Sequence, residues 1–391
     1  MTTKLDIPRD LIEDEILPRV SITSLRAVRS TCKEWEASTK TQILGKAARA
    51  SKPYLGFMLM DYKVCSLKFD LHGLRNSGEF VKPNIKQVSI LDQIEISQVF
   101  HCAGLLLCVI KDNKGLVVWN PYMGQIKWIQ PRDKYEISDV YAFGYDENRN
   151  HKILRIFFDD NLKVSGYEIY DLSSDSWKVV YDTPAWDCDT WIHEQPGVSL
   201  NGNTYFLAQD VEAVIPFYEY FWEEHADDFL LCFDFTTERF GPHLPLPYND
   251  NNVSLSCVGD EKLAVFYQRS GKCHVLEIWV TNKIDPNGVS ISWSKFLGRF
   301  DGGVKVYDIY GGSFFIDEDK EVAVVFDVDR PKGYKTCLYP AAHIIGQDGY
   351  LKSLSIGEAL NLGTPDESGY VEEKYRFPLV CSSYVPSLVQ L

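Results

Sequence analysis

The stretch Val118-Trp119-Asn120-Pro121, with the Trp128 that follows it, decides the fold of this chain. It predicts a strand that ends on an aromatic and an Asx residue, then a polar turn and a second aromatic strand. The pattern recurs three times, the last time in a longer form: Tyr170-Asp171 with Trp177, Phe233-Asp234 with Phe240, and Trp279-Val280 with Trp293. Short aromatic strands joined by tight turns predict an antiparallel all-β domain.

The spacing of these repeats indicates the kind of β domain. The anchor positions 120, 171, 234 and 281 lie 51, 63 and 47 residues apart. Kelch-type propeller blades repeat at about 50 residues. Hairpin-like stretches such as Leu200-Asn201-Gly202-Asn203 lie between the repeats. We therefore predict a kelch-like β-propeller built from four-stranded antiparallel blades, with a large β-sandwich as the alternative. The sequence leaves the number of blades open.

Composition sets the broad class of the protein. The chain has 391 residues, 45% of them apolar and 24% charged, which is typical of globular domains and predicts two or three of them. Its longest apolar run is about seven residues, whereas a membrane helix needs about 20. The N-terminus reaches a charge at Lys4 and shows no signal-peptide pattern. We expect a soluble protein of the cytoplasm and/or nucleus with no membrane partner.

Charge and cysteine usage narrow the possible partners. The net charge is −15, with +2 in residues 1–50 and −17 in the remainder. A surface this acidic repels phosphate backbones, so nucleic acid is not an expected partner. The ten cysteines include no Cys-x-x-Cys pair, which predicts reduced, buried thiols.

Residues 1–50 differ in pattern from the rest and predict three short helices. Asp10 precedes a first helix with apolar residues at Ile12, Ile16 and Val20, and a second helix begins at Thr23 or Ser24. We predict a multidomain chain: a small all-α three-helix module at 1–50, a linker and the start of the β domain at 51–90, and the large all-β antiparallel domain at 91–391.

The helical module is too small to bury its own apolar side chains. Chains below about 40 residues usually need a metal, a disulfide or a partner to fold, and 50 residues in short helices are little better. Each large apolar side chain left in water forgoes roughly 1.5–3 kcal/mol of burial free energy. Either a second protein covers this face, or the helices pack on the β domain of the same chain.

The order of residues in this module resembles the F-box motif. The resemblance is carried by Ile7-Pro8-Arg9-Asp10-Leu11, by Glu15-Ile16-Leu17-Pro18-Arg19-Val20, and by Ser24-Leu25 through Cys32-Lys33-Glu34-Trp35. It implies docking on a Skp-type adaptor and, through it, on a cullin scaffold. Ile12 takes the place of Leu11 because the spacing is one residue longer than usual. The implied adaptor-binding residues are Ile7, Pro8, Leu11, Ile12, Ile16, Leu17, Val20, Leu25, Val28, Cys32 and Trp35.

The β part resembles the plant-type F-box-associated interaction domain (type 1). The segments that carry the resemblance are Gly104-Leu105-Leu106-Leu107-Cys108, Val118-Trp119-Asn120-Pro121, Phe143-Gly144-Tyr145-Asp146, Tyr167-Glu168-Ile169-Tyr170, and residues 197–203 and 384–388. The resemblance implies a non-catalytic substrate receptor of an SCF-type cullin ubiquitin ligase, without a cofactor. A closing strand at 384–389 is expected to complete a blade near the start of the domain.

Two aromatic and acidic segments are the candidate target-binding sites. One lies in the interval between Asp171 and Asp234, which exceeds the repeat by about 13 residues. Large rings supply contact area, and carboxylates select basic partners. The alternative is that residues 217–222 form a buried strand. The candidate residues are Phe217, Tyr218, Tyr220, Trp222, Glu223 and Glu224 in this segment, and Trp186 and Trp191 in the second.

The sequence carries none of the common catalytic motifs. It has no Gly-x-Ser-x-Gly elbow, no phosphate-binding Gly-Lys-Ser/Thr loop and no His-Glu-x-x-His. Carboxylates beside a single histidine, as around His193, are more typical of solvated side chains than of a metal site, so no metal is predicted. The alternative function is a non-ligase β-propeller binding protein or hydrolase whose N-terminal helices only cap the domain.

Overall fold

The computed structural model describes most of the β part of the chain. All of the predicted adaptor-binding residues, from Ile7 to Trp35, lie outside the described residues, whereas Lys33 of the same segment is described and is helical and exposed. The described part is Lys33 and 54–391, except for 72–82, 112–113, 131, 133–135, 137, 159–163, 181–189, 194, 211–227, 249–252, 260, 270–274, 285–289, 301–312, 330–336, 358–359, 362–378, 382–383 and 385.

Six antiparallel sheets form the blades of a β-propeller. Blade 1 holds the first three strands and the last one, and blades 2 and 3 hold four consecutive strands each. Their bounds are β1 (Tyr54–Met60), β2 (Lys63–Phe69), β3 (Asn84–Gln87), β4 (Ile96–Cys102), β5 (Leu105–Ile110), β6 (Leu116–Asn120), β7 (Gln125–Ile129), β8 (Val140–Tyr145), β9 (His151–Phe158), β10 (Val164–Asp171) and β11 (Ser176–Val180).

Blades 4, 5 and 6 complete the ring. A short 3-10 helix, Ser89–Leu91, lies between blades 1 and 2. The remaining strand bounds are β12 (Thr190–Ile192), β13 (Val198–Leu200), β14 (Asn203–Asp210), β15 (Phe229–Asp234), β16 (Arg239–Phe240), β17 (Leu244–Pro245), β18 (Val253–Val258), β19 (Lys262–Arg269), β20 (Val275–Ile284), β21 (Ile291–Phe300), β22 (Ser313–Asp317), β23 (Val322–Asp329), β24 (Cys337–Gly346), β25 (Leu351–Ser355), β26 (Leu360–Asn361) and β27 (Leu379–Cys381).

The strand sequences suit a propeller because neighbouring blades cover each other's faces. In β5 the residues from Leu105 to Val109 are all buried, whereas a strand with one face in water would alternate apolar and polar residues. Apolar clusters fill the junctions between blades, such as the cluster that contains Leu154 of blade 3 and Phe233 of blade 4. The innermost strands contact one another in turn around the ring. The propeller prediction is confirmed, and the sandwich alternative is wrong.

The two ends of the β domain meet in blade 1 and close the ring. Strand β27 pairs with β1, with Phe57 opposite Cys381. The predicted closing strand at 384–389 is therefore wrong in its bounds, because the described residues after Cys381 are not in a strand. They form a tail instead: the Tyr384 ring lies 4.8 Å from that of Phe57, and the Asn120 amide donates to the carbonyl oxygens of Ser387 and Val389.

Candidate functional site: the connection face around blade 4

An up-and-down propeller has two faces that differ in their loops. Within each blade we label the strands a to d from the channel outward. The a–b and c–d turns lie on one face, which we call the turn face. The b–c loops and the d–a links between blades lie on the other, which we call the connection face. Consecutive antiparallel strands must reverse at alternate ends, so this division follows from the strand order alone.

The c–d turns of the turn face repeat from blade to blade. The side-chain Oδ1 atoms of Asn120, Asp171 and Asp234 accept backbone N–H groups two or three residues later, which fixes each turn. The last residue of each turn has a left-handed backbone, at Gly124, Asp175 and Glu238. These turns coincide with the repeats of the opening motif, so their regularity is a property of the fold.

Lysines of one blade bind the turn of the next on this same face. Lys127 Nζ lies 2.9 Å from a carboxylate oxygen of Asp175, and Lys178 Nζ lies 2.5 Å from one of Glu238. The buried Lys152 also contacts Glu238, at 3.0 Å. Burial opposes the ionisation of Glu238, yet the ammonium groups of Lys178 and Lys152 hold its pKa below the ordinary value. The turn face is thus joined from blade 2 to blade 4.

The connection face carries buried charges that differ between blades. In blade 3 the Arg155 guanidinium lies 2.8 Å from carboxylate oxygens of both Asp139 and Glu168, and Arg132 binds the second oxygen of Glu168 at 2.9 Å. Burial raises the pKa of Asp139 above its ordinary value, although the charge of Arg155 opposes this effect. The group contains two acids and two bases, so its charges are balanced within the propeller and its role is structural.

The strands that flank both predicted target-binding segments have those ends on the connection face. Residues 181–189 link blade 3 to blade 4, and residues 211–227 connect the b and c strands of blade 4. Of the candidate residues, only Trp191 is described. It is half-buried in β12, opposite Gln209 of β14. The candidates outside the described residues are Trp186, Phe217, Tyr218, Tyr220, Trp222, Glu223 and Glu224.

Blade 4 brings three further side chains together beside Trp191. Asp228, which precedes β15, has one carboxylate oxygen 3.2 Å from His193 Nε2 and 2.5 Å from Gln209 Nε2. The rings of Trp191 and His193 lie 4.8 Å apart. The short strands β12 and β13 both pair with β14, and β12 pairs with its last residues. The group therefore lies at the connection-face end of blade 4. Sequence reasoning did not pair these residues.

Strand β1 begins on the opposite face of the propeller. Strand β1 is the b strand of blade 1, and its first residue, Tyr54, pairs with Phe69, which precedes the c–d connection. The first residue of β1 therefore lies at the turn face. The connection face of blade 4 lies on the other side of the propeller.

Comparison with known proteins identifies the family. A sequence model described as the F-box associated beta propeller domain matches residues 55–391. The chain belongs to the F-box associated β-propeller family. An F-box/kelch-repeat protein of Arabidopsis thaliana is 56% identical, over 100% of this chain and 97% of the relative. A putative F-box protein of the same plant is 52% identical, over 100% of both chains.

Solved structures resemble this chain only distantly. A nidogen/laminin complex contains a chain with 11% sequence identity and a TM-score of 0.37, and the match covers 77% of this chain and 93% of that one. The fold assignment depends instead on the strand order and on the match to the family.

Three other properties of the described residues bear on the site. No group of three His, Cys, Asp or Glu side chains within them is placed to hold a metal ion. None of the helices that the structure describes is suited to crossing a membrane. Among the described cysteines, Cys65 and Cys108 are buried and form no disulfide, and burial raises the pKa of the Cys65 thiol to about 11 and that of Cys108 to about 12. Such buried thiols are poor nucleophiles.

Proposed function

We propose that this chain is the substrate-recognition subunit of an SCF-type E3 ubiquitin ligase. Its N-terminal motif binds a Skp-type adaptor and, through it, a cullin scaffold, and the connection face of the propeller binds a target protein. The observation that supports the proposal is the separation of two sets of strand ends: β1 begins with Tyr54 at the turn face, whereas the strands that flank both aromatic and acidic segments have those ends on the connection face. Membership of the F-box associated family supports it.

The proposed role needs no bond-making chemistry within this chain. A receptor that holds adaptor and target at once raises the effective concentration of the target near the ligase, without any new contact between them. The buried ion pairs of blade 3 are matched within the propeller, as Arg155 is with Asp139 and Glu168. We place the ligase complex in the cytoplasm and/or nucleus.

Adaptor binding tests the first half of the proposal. The full chain is co-expressed with a Skp-type adaptor and purified through a tag on the chain. Leu25→Asp and Trp35→Asp should each abolish co-purification, because a charge in an apolar interface is not compensated there. Lys33→Glu is the matched control, since Lys33 is exposed and lies in the same segment. It should leave the adaptor bound.

The alternative function makes the opposite prediction in this experiment. If the N-terminal helices only cap the propeller, the wild-type chain should remain folded and free of adaptor, and Leu25→Asp should lower its melting temperature. Unchanged adaptor binding by both charge variants would rule out the named face.

A further inference from the structure

One buried carboxylate on the connection face is only half satisfied. Asp228 has 3% of its surface exposed. Its Oδ1 atom lies within hydrogen-bonding distance of His193 and Gln209. Its Oδ2 atom is also buried, yet no described residue donates a hydrogen bond to it. A buried polar atom without a partner is costly, so the site calls for a donor from outside the described residues.

Charge balance separates Asp228 from Asp139, another buried acid of this face. Asp139 also has one oxygen to which no described residue donates a hydrogen bond, but the guanidinium of Arg155 lies against its other oxygen and balances its charge. Asp228 has no lysine or arginine beside it among the described residues, and its one basic neighbour is His193. Among the described residues, Asp228 therefore has no hydrogen-bond donor for its Oδ2 atom and no permanent positive charge beside it.

The position of Asp228 shows where that donor would enter. Leu230 and Cys232 follow at steps of two along β15 and pack with Val253 of blade 5, so this side of the strand faces blade 5. Asp228 thus lies at the connection-face end of the junction between blades 4 and 5. Its neighbours Trp191 and Gln209 are half-buried and border the approach to it.

The groups around Asp228 favour a positively charged hydrogen-bond donor. A carboxylate accepts hydrogen bonds only, and it binds ammonium and guanidinium groups most strongly. The Trp191 ring offers a π face for the same cations. Metal ions are a poorer match, because within the described residues no third ligating side chain accompanies His193 and Asp228.

Three stretches that lie next to blade 4 in the sequence and outside the described residues do not contain such a donor. Residues 181–189 and 211–227, which adjoin strands of blade 4, and residues 249–252, which lead from blade 4 to blade 5, contain no lysine and no arginine. They contain acids instead, among them Asp189 and Asp227. A partner molecule is therefore the better source of the cation than these three segments. The b–c loop of blade 5, residues 270–274, contains one lysine, Lys272, and the binding test below distinguishes this internal donor from a partner.

We propose that Asp228 receives a lysine or arginine side chain of the target protein, at the junction between blades 4 and 5 beside Trp191. The inference rests on the proposed function, because it names the chemistry by which the connection face selects its target. It also explains why one oxygen of a buried carboxylate is left for a partner, while His193 and Gln209 hold the other in place.

Small cations test the site directly on the purified full chain. The probes are N-acetyl-arginine amide and N-acetyl-lysine amide, and the matched neutral controls are N-acetyl-citrulline amide and N-acetyl-norleucine amide. Binding is measured by ligand-observed NMR titration. Saturable binding of the two cations and none of the neutral analogues is expected. Asp228→Asn should weaken cation binding by about tenfold or more, the size of one lost charge-assisted hydrogen bond.

A second variant controls for the change of one negative charge. Asp171→Asn removes a carboxylate from the turn face, and its turn is preserved because Asn120 fixes the equivalent turn in blade 2. It should bind the cations as the wild type does. Equal binding of arginine and citrulline probes, or wild-type affinity in Asp228→Asn, would overturn the inference. The arginine–citrulline comparison uses only the wild-type chain, so it decides even where Asp228→Asn fails to fold.

The outcome is separable from that of the proposed function. Probe binding involves no adaptor, so loss of co-purification with a Skp-type protein leaves this measurement untouched. Conversely, a chain that binds the adaptor but does not distinguish arginine from citrulline retains the receptor role and loses the basic-side-chain inference.

Discussion

The two faces of the propeller differ in whether their polar contacts repeat from blade to blade. On the turn face an Asx residue fixes the c–d turn in blades 2, 3 and 4, and lysines tie the turns of blades 3 and 4 to the preceding blade. On the connection face blade 3 buries a balanced group around Arg155, whereas blade 4 buries Asp228 without a lysine or arginine beside it in the described part of the chain. Repetition on the turn face indicates that it maintains the fold, and variation on the connection face is what the proposed target-binding role expects.

The largest expected effect on stability comes from removing the positive charge of Arg155, which balances the buried carboxylates of blade 3. Arg155→Met would leave Asp139 and Glu168 buried without their shared cation. We expect a loss of about 3–5 kcal/mol in the free energy of unfolding at pH 7, measured by urea denaturation. The deficit should shrink as the pH is lowered, because protonation neutralises the two carboxyls. A loss below about 1 kcal/mol would show that the group is not structural.

A substitution at Gly144 tests how closely blades 3 and 4 pack at the turn face. A Cβ at Gly144 would lie 2.2 Å from the carbonyl oxygen of Gly202 and equally close to the Phe235 ring. Gly144→Ala should therefore cost roughly 3 kcal/mol, at the upper end of overpacking effects. Gly298→Ala is the matched control, because nothing lies within 4 Å of a Cβ there. Equal melting temperatures for the two variants would contradict this account of the junction.

In blade 2 the Asx residue of the repeated turn, Asn120, also binds the C-terminal tail, and a substitution there tests this contact. Asn120 is fully buried, and its Nδ2 donates to the carbonyl oxygen of Ser387 at 3.1 Å and to that of Val389 at 2.7 Å. A carboxylate cannot donate, so Asn120→Asp should cost about 2–3 kcal/mol by leaving charged and carbonyl oxygens face to face. Asp171→Asn should change stability by less than about 0.5 kcal/mol. Similar losses in both variants would refute the special role of Asn120.

Acid should lower the free energy of unfolding through His151, a buried histidine at the turn face. Burial lowers the pKa of His151 from 6.5 to about 4, so the folded protein resists protonation that the unfolded chain accepts. The stability that the neutral His151 contributes is fully present above pH 6.5. It is lost as the pH falls towards 4, and the free energy of unfolding is lower by roughly 2 kcal/mol at pH 5. His151→Gln should flatten the unfolding free energy between pH 7 and 5. An unchanged slope would assign the acid loss to other groups.

The turn face was more predictable from the sequence than the connection face. Asn120, Asp171 and Asp234 reveal their turns because Asx turns are made by neighbouring residues. The hairpin at Asn201-Gly202, where both residues are left-handed, was predictable for the same reason. Trp128 shows the limit of such patterns: it marks the repeat, yet it is 55% exposed, whereas Trp119 of the same motif is 1% exposed.

The parts that sequence reasoning missed depend on distant pairing. Blade 1 joins β27 to β1, and the pattern placed the closing strand too far along the chain because no local signal marks residues 379–381. Asp228 and His193 are 35 residues apart and meet only because β12 and β15 both flank β14. That register is set by the packing of whole strands, so the residue types alone did not reveal the pair.

The central claim is that targets are selected on the connection face while the adaptor is held elsewhere. The direct measurement is quantitative mass spectrometry of proteins that co-purify with the full chain, comparing Trp191→Ala with the turn-face variant Asp171→Asn. We predict equal adaptor in both samples, with a defined set of other proteins lost only from Trp191→Ala. Loss of that set from Asp171→Asn, with retention in Trp191→Ala, would contradict the account.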